Sequence, residues 1–300
     1  MYTIAHTQDQ ANGFDYIEIE NPEKTVYAKI FLNLGASLQE LTLDGHPLIK
    51  DLHPLTYNNT YASSVLFPFA NRIKDGKYSF QGETYAFDIN EEPLNNALHG
   101  LVYNKTFKLA KQHVAHNAAE VILVYSETDP VEGFPFKYTI QLTYSLTKNG
   151  LDLRVSVKNE DTKPFPFTLG WHPYFLSDNL YKSSLSFDAD KTLVFDDRNI
   201  TTGLKDIEKS EVFCVEDKTL DDCFVLNSNQ FTFNTPKYRF EITSSSIENN
   251  FLQLYTPPHK NTIAIEPTTG VSDSFNNGLG LQTLEPKQIY SISWILKIIN

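Results

Sequence analysis

The sequence is poor in cysteine and has no excess of positive charge. Its two cysteines, Cys214 and Cys223, lack the C-x-x-C spacing of metal and redox sites, and two thiols are too few for a disulfide scaffold. We therefore expect both to be unpaired. The chain carries 25 Lys and Arg residues against 37 Asp and Glu residues, a formal net charge of −12. Neither nucleic acid nor an anionic membrane is an expected partner, because clustered cations are needed to bind phosphate groups.

Long apolar runs are missing as well. No stretch approaches the ~18 apolar residues of a transmembrane helix. The first ten residues, MYTIAHTQDQ, lack the basic and apolar regions of a secretory signal, so the sequence predicts a cytoplasmic protein. None of the eight histidines belongs to a compact metal-ligand spacing, and we expect neither a metal nor another cofactor.

The periodicity of an amphipathic helix is never sustained, whereas alternation of apolar and polar residues recurs from end to end. The 21 Phe and 16 Tyr residues also favour strands, because aromatic rings pack well on a pleated surface. The clearest hairpin alternates over 138–146, turns at Asn149-Gly150 and returns over 151–157. Similar patterns predict a hairpin over 78–89 with its turn at Gln81-Gly82, a strand over 38–43 that runs into Asp44-Gly45, and a final strand over 290–298.

The length of the chain would allow either two domains or one large β domain. No linker, low-complexity tract or internal repeat divides it. We therefore predict a single domain over residues 1–300. Many strands with short connections favour two packed antiparallel sheets, that is, an all-β fold built as a large antiparallel sandwich.

Three segments interrupt the alternation with polar residues set among aromatics: 67–73, 97–100 and 170–175. Binding groups commonly stand where loops leave a scaffold of strands. His99 and His172 lie in two of these segments and are candidates for acid and base chemistry, because imidazole titrates near neutral pH. We interpret the remaining histidines as structural or surface residues: His6, His46, His53, His113, His116 and His259.

Glu266 is the carboxylate that the pattern singles out. It follows the apolar run 262–265 and precedes Pro267, where a strand is expected to end. An acidic residue at the end of a strand is either an edge charge that faces water or a placed functional group. The pattern alone favours the solvated charge.

Several motifs occur together and in order over nearly the whole chain, and their combination resembles the aldose 1-epimerase (galactose mutarotase) family. Each motif is weak alone, whereas the ordered set, in agreement with the fold class, is specific. The motifs are Asn71-Arg72-Ile73, Gly76, Gly82, Leu98-His99-Gly100, 171–175 (Trp-His-Pro-Tyr-Phe), 221–224 (Asp-Asp-Cys-Phe), 253–256 (Gln-Leu-Tyr-Thr) and Ile265-Glu266-Pro267.

The resemblance implies a β-supersandwich fold with an open cleft and a mutarotase activity on a free aldose such as glucose or galactose. Glu266 matches the family's general base, His172 its general acid and His99 its second active-site histidine. The resemblance also implies four residues that bind sugar hydroxyls: Asn71, Arg72, Asp221 and Gln253. Asp222 stands beside Asp221, and either of the two could face the sugar.

Mutarotation needs one base and one acid, because the anomeric hydroxyl loses a proton while the ring oxygen gains one. We therefore expect Glu266 to be ionised and His172 to be charged, with Asp221 helping to keep the imidazole protonated. Phe175 or Tyr174 is expected to stack on the apolar face of the sugar.

Three other functions remain as alternatives. A sugar-binding protein could keep the fold and lose the chemistry. A glycoside hydrolase or lyase would need a pair of carboxylates, for which Asp221 and Glu266 are the candidates. A hexose-6-phosphate 1-epimerase would need cations at the rim of the cleft. The candidates for these cations are Lys74, Lys77, Lys105 and Arg198.

Overall fold

The structure is a computed structural model that describes residues 1–299. It contains two helices of one turn each, α1 (Tyr57–Thr60) and α2 (Ser274–Asn277), and two 3₁₀ turns, Glu92–Leu94 and Leu180–Lys182. The strands of the N-terminal half are β1 (Thr3–Asp9), β2 (Phe14–Glu20), β3 (Tyr27–Phe31), β4 (Ser37–Leu43), β5 (His46–Ile49), β6 (Val65–Leu66), β7 (Arg72–Lys74), β8 (Lys77–Phe80), β9 (Glu83–Ala86), β10 (Asn96–Leu98), β11 (Lys108–Val114), β12 (Ala118–Glu127), β13 (Tyr138–Thr147) and β14 (Gly150–Asn159).

The strands of the C-terminal half are β15 (Phe165–Phe167), β16 (Gly170–Trp171), β17 (Tyr174–Leu176), β18 (Ser184–Phe195), β19 (Thr201–Asp206), β20 (Phe213–Cys214), β21 (Asp221–Asn234), β22 (Arg239–Ser244), β23 (Phe251–Tyr255), β24 (Thr262–Thr268), β25 (Gln282–Leu284) and β26 (Ile289–Ile299).

Two antiparallel sheets dominate the fold. Strands β1 to β5 form one sheet in chain order, and a 15-stranded sheet runs in the order β11-β12-β13-β14-β26-β22-β21-β23-β24-β16-β6. In the larger sheet β17 also pairs with β24, and β18 pairs with β19, β20 and β21. The prediction of an all-β fold with large antiparallel sheets is confirmed. The final strand, β26, lies between β14 and β22 in the interior of the sheet.

Both predicted hairpins form, but the first turns one residue earlier than predicted. Thr147 pairs with Gly150, so the turn lies at Lys148-Asn149 and Gly150 belongs to β14. Strands β13 and β14 pair so that the apolar residues of one stand opposite those of the other, as in Leu142 opposite Val155, and both are fully buried. In the β8–β9 hairpin Tyr78 stands opposite Tyr85, and the rings stack with centroids 5.1 Å apart. Its turn residues Gln81 and Gly82 have φ of +50° and +84°, a left-handed backbone that turn residues such as glycine tolerate.

The core collects apolar side chains from both sheets. Its buried members run from Tyr2 to Leu296, and they include many of the aromatic residues. Phe67 contacts Tyr138, Phe134 and Phe165 with ring centroids 4.8, 6.1 and 6.3 Å apart. These contacts join the segment 67–73 to β13 of the large sheet, to the loop before it and to β15.

The prediction that a strand ends at Glu266 is wrong. Strand β24 continues through Pro267 to Thr268, and Glu266 is buried inside it. Ile265 N donates to Pro173 O, and Thr269 N donates to Leu169 O. Amides two residues apart point to the same side of a strand, so position 267 faces the gap between β17 and β16, where no ladder bond is needed. The missing N–H of Pro267 is therefore tolerated.

Cys214 is exposed and Cys223 is buried, and both are free thiols. None of the helices within residues 1–299 has the length and apolar character needed to cross a membrane.

Alternation along β14 predicts very different effects of truncating neighbouring residues. Leu153 is fully buried, so Leu153→Ala should lower the free energy of unfolding by about 2–5 kcal/mol. Arg154 is exposed on the other face, and Arg154→Ala should change it by no more than about 0.5 kcal/mol. Urea unfolding of both variants measures the two values, and similar losses would contradict the assigned faces.

Candidate active site

A cavity of about 210 Å³ opens where the interrupting segments meet the large sheet. All seven residues that the sequence proposed for the site line this cavity. They are Asn71, Arg72, His99, His172, Asp221, Gln253 and Glu266. The other lining residues are Asn59, Thr60, Tyr61, Glu91, Leu98, Tyr174 and Tyr255.

Strand pairing brings the three interrupting segments together. Strand β10 pairs with β7, which sets Leu98 opposite Arg72, and Gly100 bridges to Phe67. Strand β16 pairs with β6, which ends just before Phe67. Segments that are far apart in the chain therefore share one wall of the cavity.

The floor of the cavity is a row of polar side chains on neighbouring strands. Gln253 on β23 stands directly opposite Glu266 on β24. Its Nε2 donates to Asp221 Oδ1 on β21 at 2.8 Å. Both Gln253 and Glu266 are almost fully buried, 4% and 3% exposed. A central position in the sheet thus removes these groups from bulk water.

His172 is placed by two backbone hydrogen bonds to the segment 63–64. Its N–H donates to Ser64 O, and its carbonyl accepts from Ser63 N. Its ring stacks on Tyr174 with centroids 4.9 Å apart and an interplanar angle of 15°. Its Nε2 lies 3.4 Å from Glu266 Oε1. The imidazole and the carboxyl therefore form one buried pair.

His99 and Asn71 both adopt a left-handed backbone, with φ of +63° and +61°. This conformation is uncommon for residues other than glycine and often marks functional sites. His99 N donates to Asn71 O at 2.8 Å, so the two strained residues support each other. Gly100 follows with φ of +75°, and a Cβ there would lie 2.3 Å from Phe67 O, which leaves room only for glycine.

Arg72 is held by a residue that the sequence analysis missed. Its Nε and Nη2 donate to the Glu91 carboxylate at 2.9 and 2.8 Å, and its Nη1 donates to Asn71 Oδ1 at 3.1 Å. Glu91 stands beside an exposed Glu92 in a connecting segment, and no local pattern distinguishes the two. Tyr61, Asn59 and Thr60 were missed for the same reason.

The structure separates two pairs of neighbours between which the sequence could not choose. Asp221 lines the cavity, and Asp222 does not. Tyr174 lines the cavity, whereas Phe175 is fully buried in the core against Phe240, with ring centroids 4.5 Å apart. Successive residues of a strand point to opposite faces, which explains both outcomes.

Burial is the largest cause of the pKa shifts in the site. It lowers the pKa of His172 to about 3 and lowers that of His99 well below its usual value. Burial raises the pKa of Glu266 well above its usual value; the Asp221 carboxylate adds to this rise and Arg72 opposes it. The expectation of a charged His172 is wrong for the free site at neutral pH, and burial opposes the expected ionisation of Glu266. The Asp221 carboxylate accepts from Gln253 and Asn199 and has no bond to His172.

The four cations proposed for a phosphate site lie outside the cavity. Arg72 is its only Lys or Arg lining residue within residues 1–299. Lys74 pairs with Asp196, Lys105 with Glu127 and Arg198 with Asp75 at 3.6, 3.3 and 2.9 Å. Lys77 is exposed on β8. Among residues 1–299 no three His, Cys, Asp or Glu side chains are arranged to hold a metal ion.

The model of the aldose 1-epimerase family matches residues 15–297 of this chain. The chain therefore belongs to the aldose 1-epimerase family.

Two curated relatives show how the similarity is distributed. YihR, an uncharacterised protein of Escherichia coli K12, is 25% identical over 271 residues, which cover 86% of this chain and 86% of YihR. Galactose mutarotase of the pig, Sus scrofa, is 30% identical over 158 residues, which cover 51% of this chain and 44% of the mutarotase. The similarity to the named enzyme thus involves about half of this chain.

Among solved structures, a galactose mutarotase-like protein of Clostridium acetobutylicum superposes with a TM-score of 0.83. The match covers 99% of this chain and 98% of that one at 24% identity. At this identity the comparison shows a shared fold.

The raised pKa of Glu266 predicts that the carboxyl destabilises the protein at high pH. The pKa of this carboxyl is higher in the folded protein than in the unfolded chain. Between these two values the folded state binds more protons, so the free energy of unfolding falls as pH rises. The Glu266→Gln variant lacks this loss. Its Tm should exceed that of the wild type by a margin that grows as pH rises above the pKa of the carboxyl in the unfolded chain.

Scanning calorimetry at several pH values measures this margin. The exposed Glu92→Gln substitution removes one negative charge without a buried carboxyl and serves as the control. A margin that stays constant with pH, or matches that of the control, would show that Glu266 titrates normally.

Proposed function

We propose that the protein is a mutarotase that interconverts the α and β anomers of a free aldose such as glucose or galactose. The observation that carries this proposal is the buried pair of His172 Nε2 and Glu266 Oε1, 3.4 Å apart in one cavity. The anomeric hydroxyl and the ring oxygen are attached to the same carbon, so the base and the acid that serve them must be neighbours. Family membership and the similarity to pig galactose mutarotase support the same reaction.

Ring opening moves two protons. The Glu266 carboxylate removes the proton of the anomeric hydroxyl while His172 delivers a proton from Nε2 to the ring oxygen. The bond between the anomeric carbon and the ring oxygen breaks, its electron pair passes to the ring oxygen, and an aldehyde forms. Rotation about the C1–C2 bond presents the other face of the aldehyde. The same two groups then close the ring with their roles reversed.

The pair must hold one proton for this cycle. Between the lowered pKa of His172 and the raised pKa of Glu266 it does so, and the proton resides on Glu266 in the free site. This is the arrangement from which ring closure starts. Ring opening requires the proton to pass to His172 when the sugar binds. Sugar hydroxyls that donate to the Glu266 carboxylate favour this transfer, because hydrogen bonds to the charged form stabilise it.

The remaining polar groups of the cavity bind and orient the sugar. A sugar hydroxyl both donates and accepts, and the cavity offers amides at Asn71 and Gln253, a guanidinium at Arg72 and a carboxylate at Asp221. His99 is neutral, so one ring nitrogen donates and the other accepts. The small volume of about 210 Å³ suits one sugar ring.

Removing the carboxylate should abolish most of the acceleration of mutarotation. We expect Glu266→Gln to lower kcat roughly 10²–10⁴-fold, because the amide cannot take the anomeric proton. Polarimetry of freshly dissolved α-D-glucose and α-D-galactose measures the rate above the spontaneous one. Asp222→Asn is the matched control, since it removes a neighbouring carboxylate that does not line the cavity.

Wild-type protein that leaves both sugars at their spontaneous rate would refute the mutarotase activity. Full activity in Glu266→Gln would refute the role of Glu266 as the base, whatever the preferred sugar.

A sugar phosphate is a less well supported substrate. Its phosphate would need at least one free cation, and the one cation that lines the cavity within residues 1–299, Arg72, is already paired with Glu91. We expect kcat/KM for glucose to exceed that for glucose 6-phosphate by at least roughly 10-fold. Polarimetry with both substrates tests this expectation, and a preference for the phosphate would reverse the choice between the two.

A non-catalytic sugar-binding protein on the same fold is also less well supported. Burying a carboxyl and an imidazole together costs folding free energy. A site that only binds sugars could use neutral amides and hydroxyls instead. The presence of both groups in the cavity favours catalysis.

A further inference from the structure

We propose that Glu91 is a positioning residue that sets the orientation of Arg72 toward the sugar. This inference rests on the proposed function in one respect, because it takes the contents of the cavity to be a sugar. It assigns a role to a residue outside the motifs on which the family resemblance depends.

The geometry of the ion pair fixes the guanidinium plane. Glu91 Oε2 accepts from Arg72 Nε at 2.9 Å, and Oε1 accepts from Nη2 at 2.8 Å, a two-point contact that allows little rotation. The two side chains are only 15% and 14% exposed. With this edge of the guanidinium occupied, the Nη1 edge is directed to Asn71 Oδ1 at 3.1 Å. Arg72 therefore meets a ligand with a defined set of donors.

Glu91 is bonded to Asn96, a fully buried residue that does not line the cavity. Asn96 Nδ2 donates to Glu91 Oε2 at 2.9 Å, and the two backbones exchange hydrogen bonds at 3.1 and 3.3 Å. Arg198 Nη2 donates to Asn96 Oδ1 at 3.0 Å. The orientation of Glu91 is thus determined by groups that do not touch the cavity.

These contacts are part of a closed circuit of bonded residues that includes the side chains proposed to bind the sugar. On the cavity side Asn71 Nδ2 lies 3.5 Å from Gln253 Oε1, and Gln253 donates to Asp221. Asn199 Nδ2 donates to Asp221 Oδ2 at 3.3 Å. Asn199 follows Arg198 in the chain, and this peptide link completes the circuit. Its members in order are Glu91, Arg72, Asn71, Gln253, Asp221, Asn199, Arg198 and Asn96.

The negative charge of Glu91 also affects which group Arg72 contacts. Arg72 lies close enough to Asp221 and Glu266 to oppose the rise that burial causes in the pKa of each carboxyl. An unpaired guanidinium in this cavity would be attracted to the Asp221 carboxylate instead of to a neutral sugar. Glu91 neutralises Arg72 and so prevents it from pairing with Asp221.

A double-mutant cycle separates positioning from a general structural role. We expect Glu91→Gln to raise KM for galactose or glucose roughly 10-fold or more while kcat changes less than about 3-fold, because a charge-assisted contact that orients a binding group is lost. Arg72→Lys should have a similar effect. The double variant should be no worse than Arg72→Lys alone, because the partner of Glu91 has already been removed.

Two further variants complete the experiment. Glu91→Asp keeps the charge but shortens the side chain, so it should give an intermediate KM and tests the proposal if Glu91→Gln does not fold. Glu92→Gln, the exposed neighbour, should leave KM and kcat unchanged. Calorimetric titration of each variant with galactose reports sugar binding without turnover.

A loss in Glu91→Gln that persists undiminished in the Arg72→Lys background would overturn the proposal, and so would an unchanged KM and unchanged sugar affinity. Wild-type protein that binds galactose without accelerating mutarotation would refute the proposed function and leave the positioning role to be judged from the titrations. Absence of both binding and turnover with galactose and glucose would refute both.

Discussion

The site depends on one interruption in the hydrogen-bond ladder of the large sheet. Strand β24 has two short neighbours on one side, β16 and β17, and the chain leaves the ladder between them at His172-Pro173. Pro267 faces this gap, where a missing N–H costs nothing. Because the ladder opens there, the side chains of His172 and Glu266 meet in a cavity, while the strands around them keep their pairing.

Burial at this interruption determines the electrostatics of the site. Both groups are taken from water, and burial disfavours the charged form of each, so the carboxyl holds its proton more tightly and the imidazole more loosely. Between the lowered pKa of His172 and the raised pKa of Glu266, the pair holds one proton. A cost in stability of this kind is common where a fold preserves a reactive arrangement.

Much of the fold could be predicted from local sequence because its signals are local. Alternation over 138–157 predicted the hairpin of β13 and β14, although its turn lies one residue before the predicted Asn149-Gly150, and Gln81-Gly82 predicted the turn between β8 and β9. The seven proposed site residues were found through ordered motifs, and the structure brings them to one cavity. Glu91 could not be found in this way, because its importance lies in a contact with Arg72, 19 residues away, and its own neighbourhood looks like an ordinary exposed turn.

The sequence by itself determined the class of fold, the hairpins and the residue types available for acid and base chemistry, since these follow from periodicity and from side-chain identity. Only the tertiary structure decided that Glu266 lies inside a strand, that Asp221 and Tyr174 face the cavity instead of Asp222 and Phe175, and that burial raises the pKa of Glu266 and lowers that of His172. Each of these outcomes depends on how distant parts of the chain pack against one another, which sets the face that each strand turns to the cavity and the groups that are buried there. Burial is a property of the assembled sheets, and no single segment carries it.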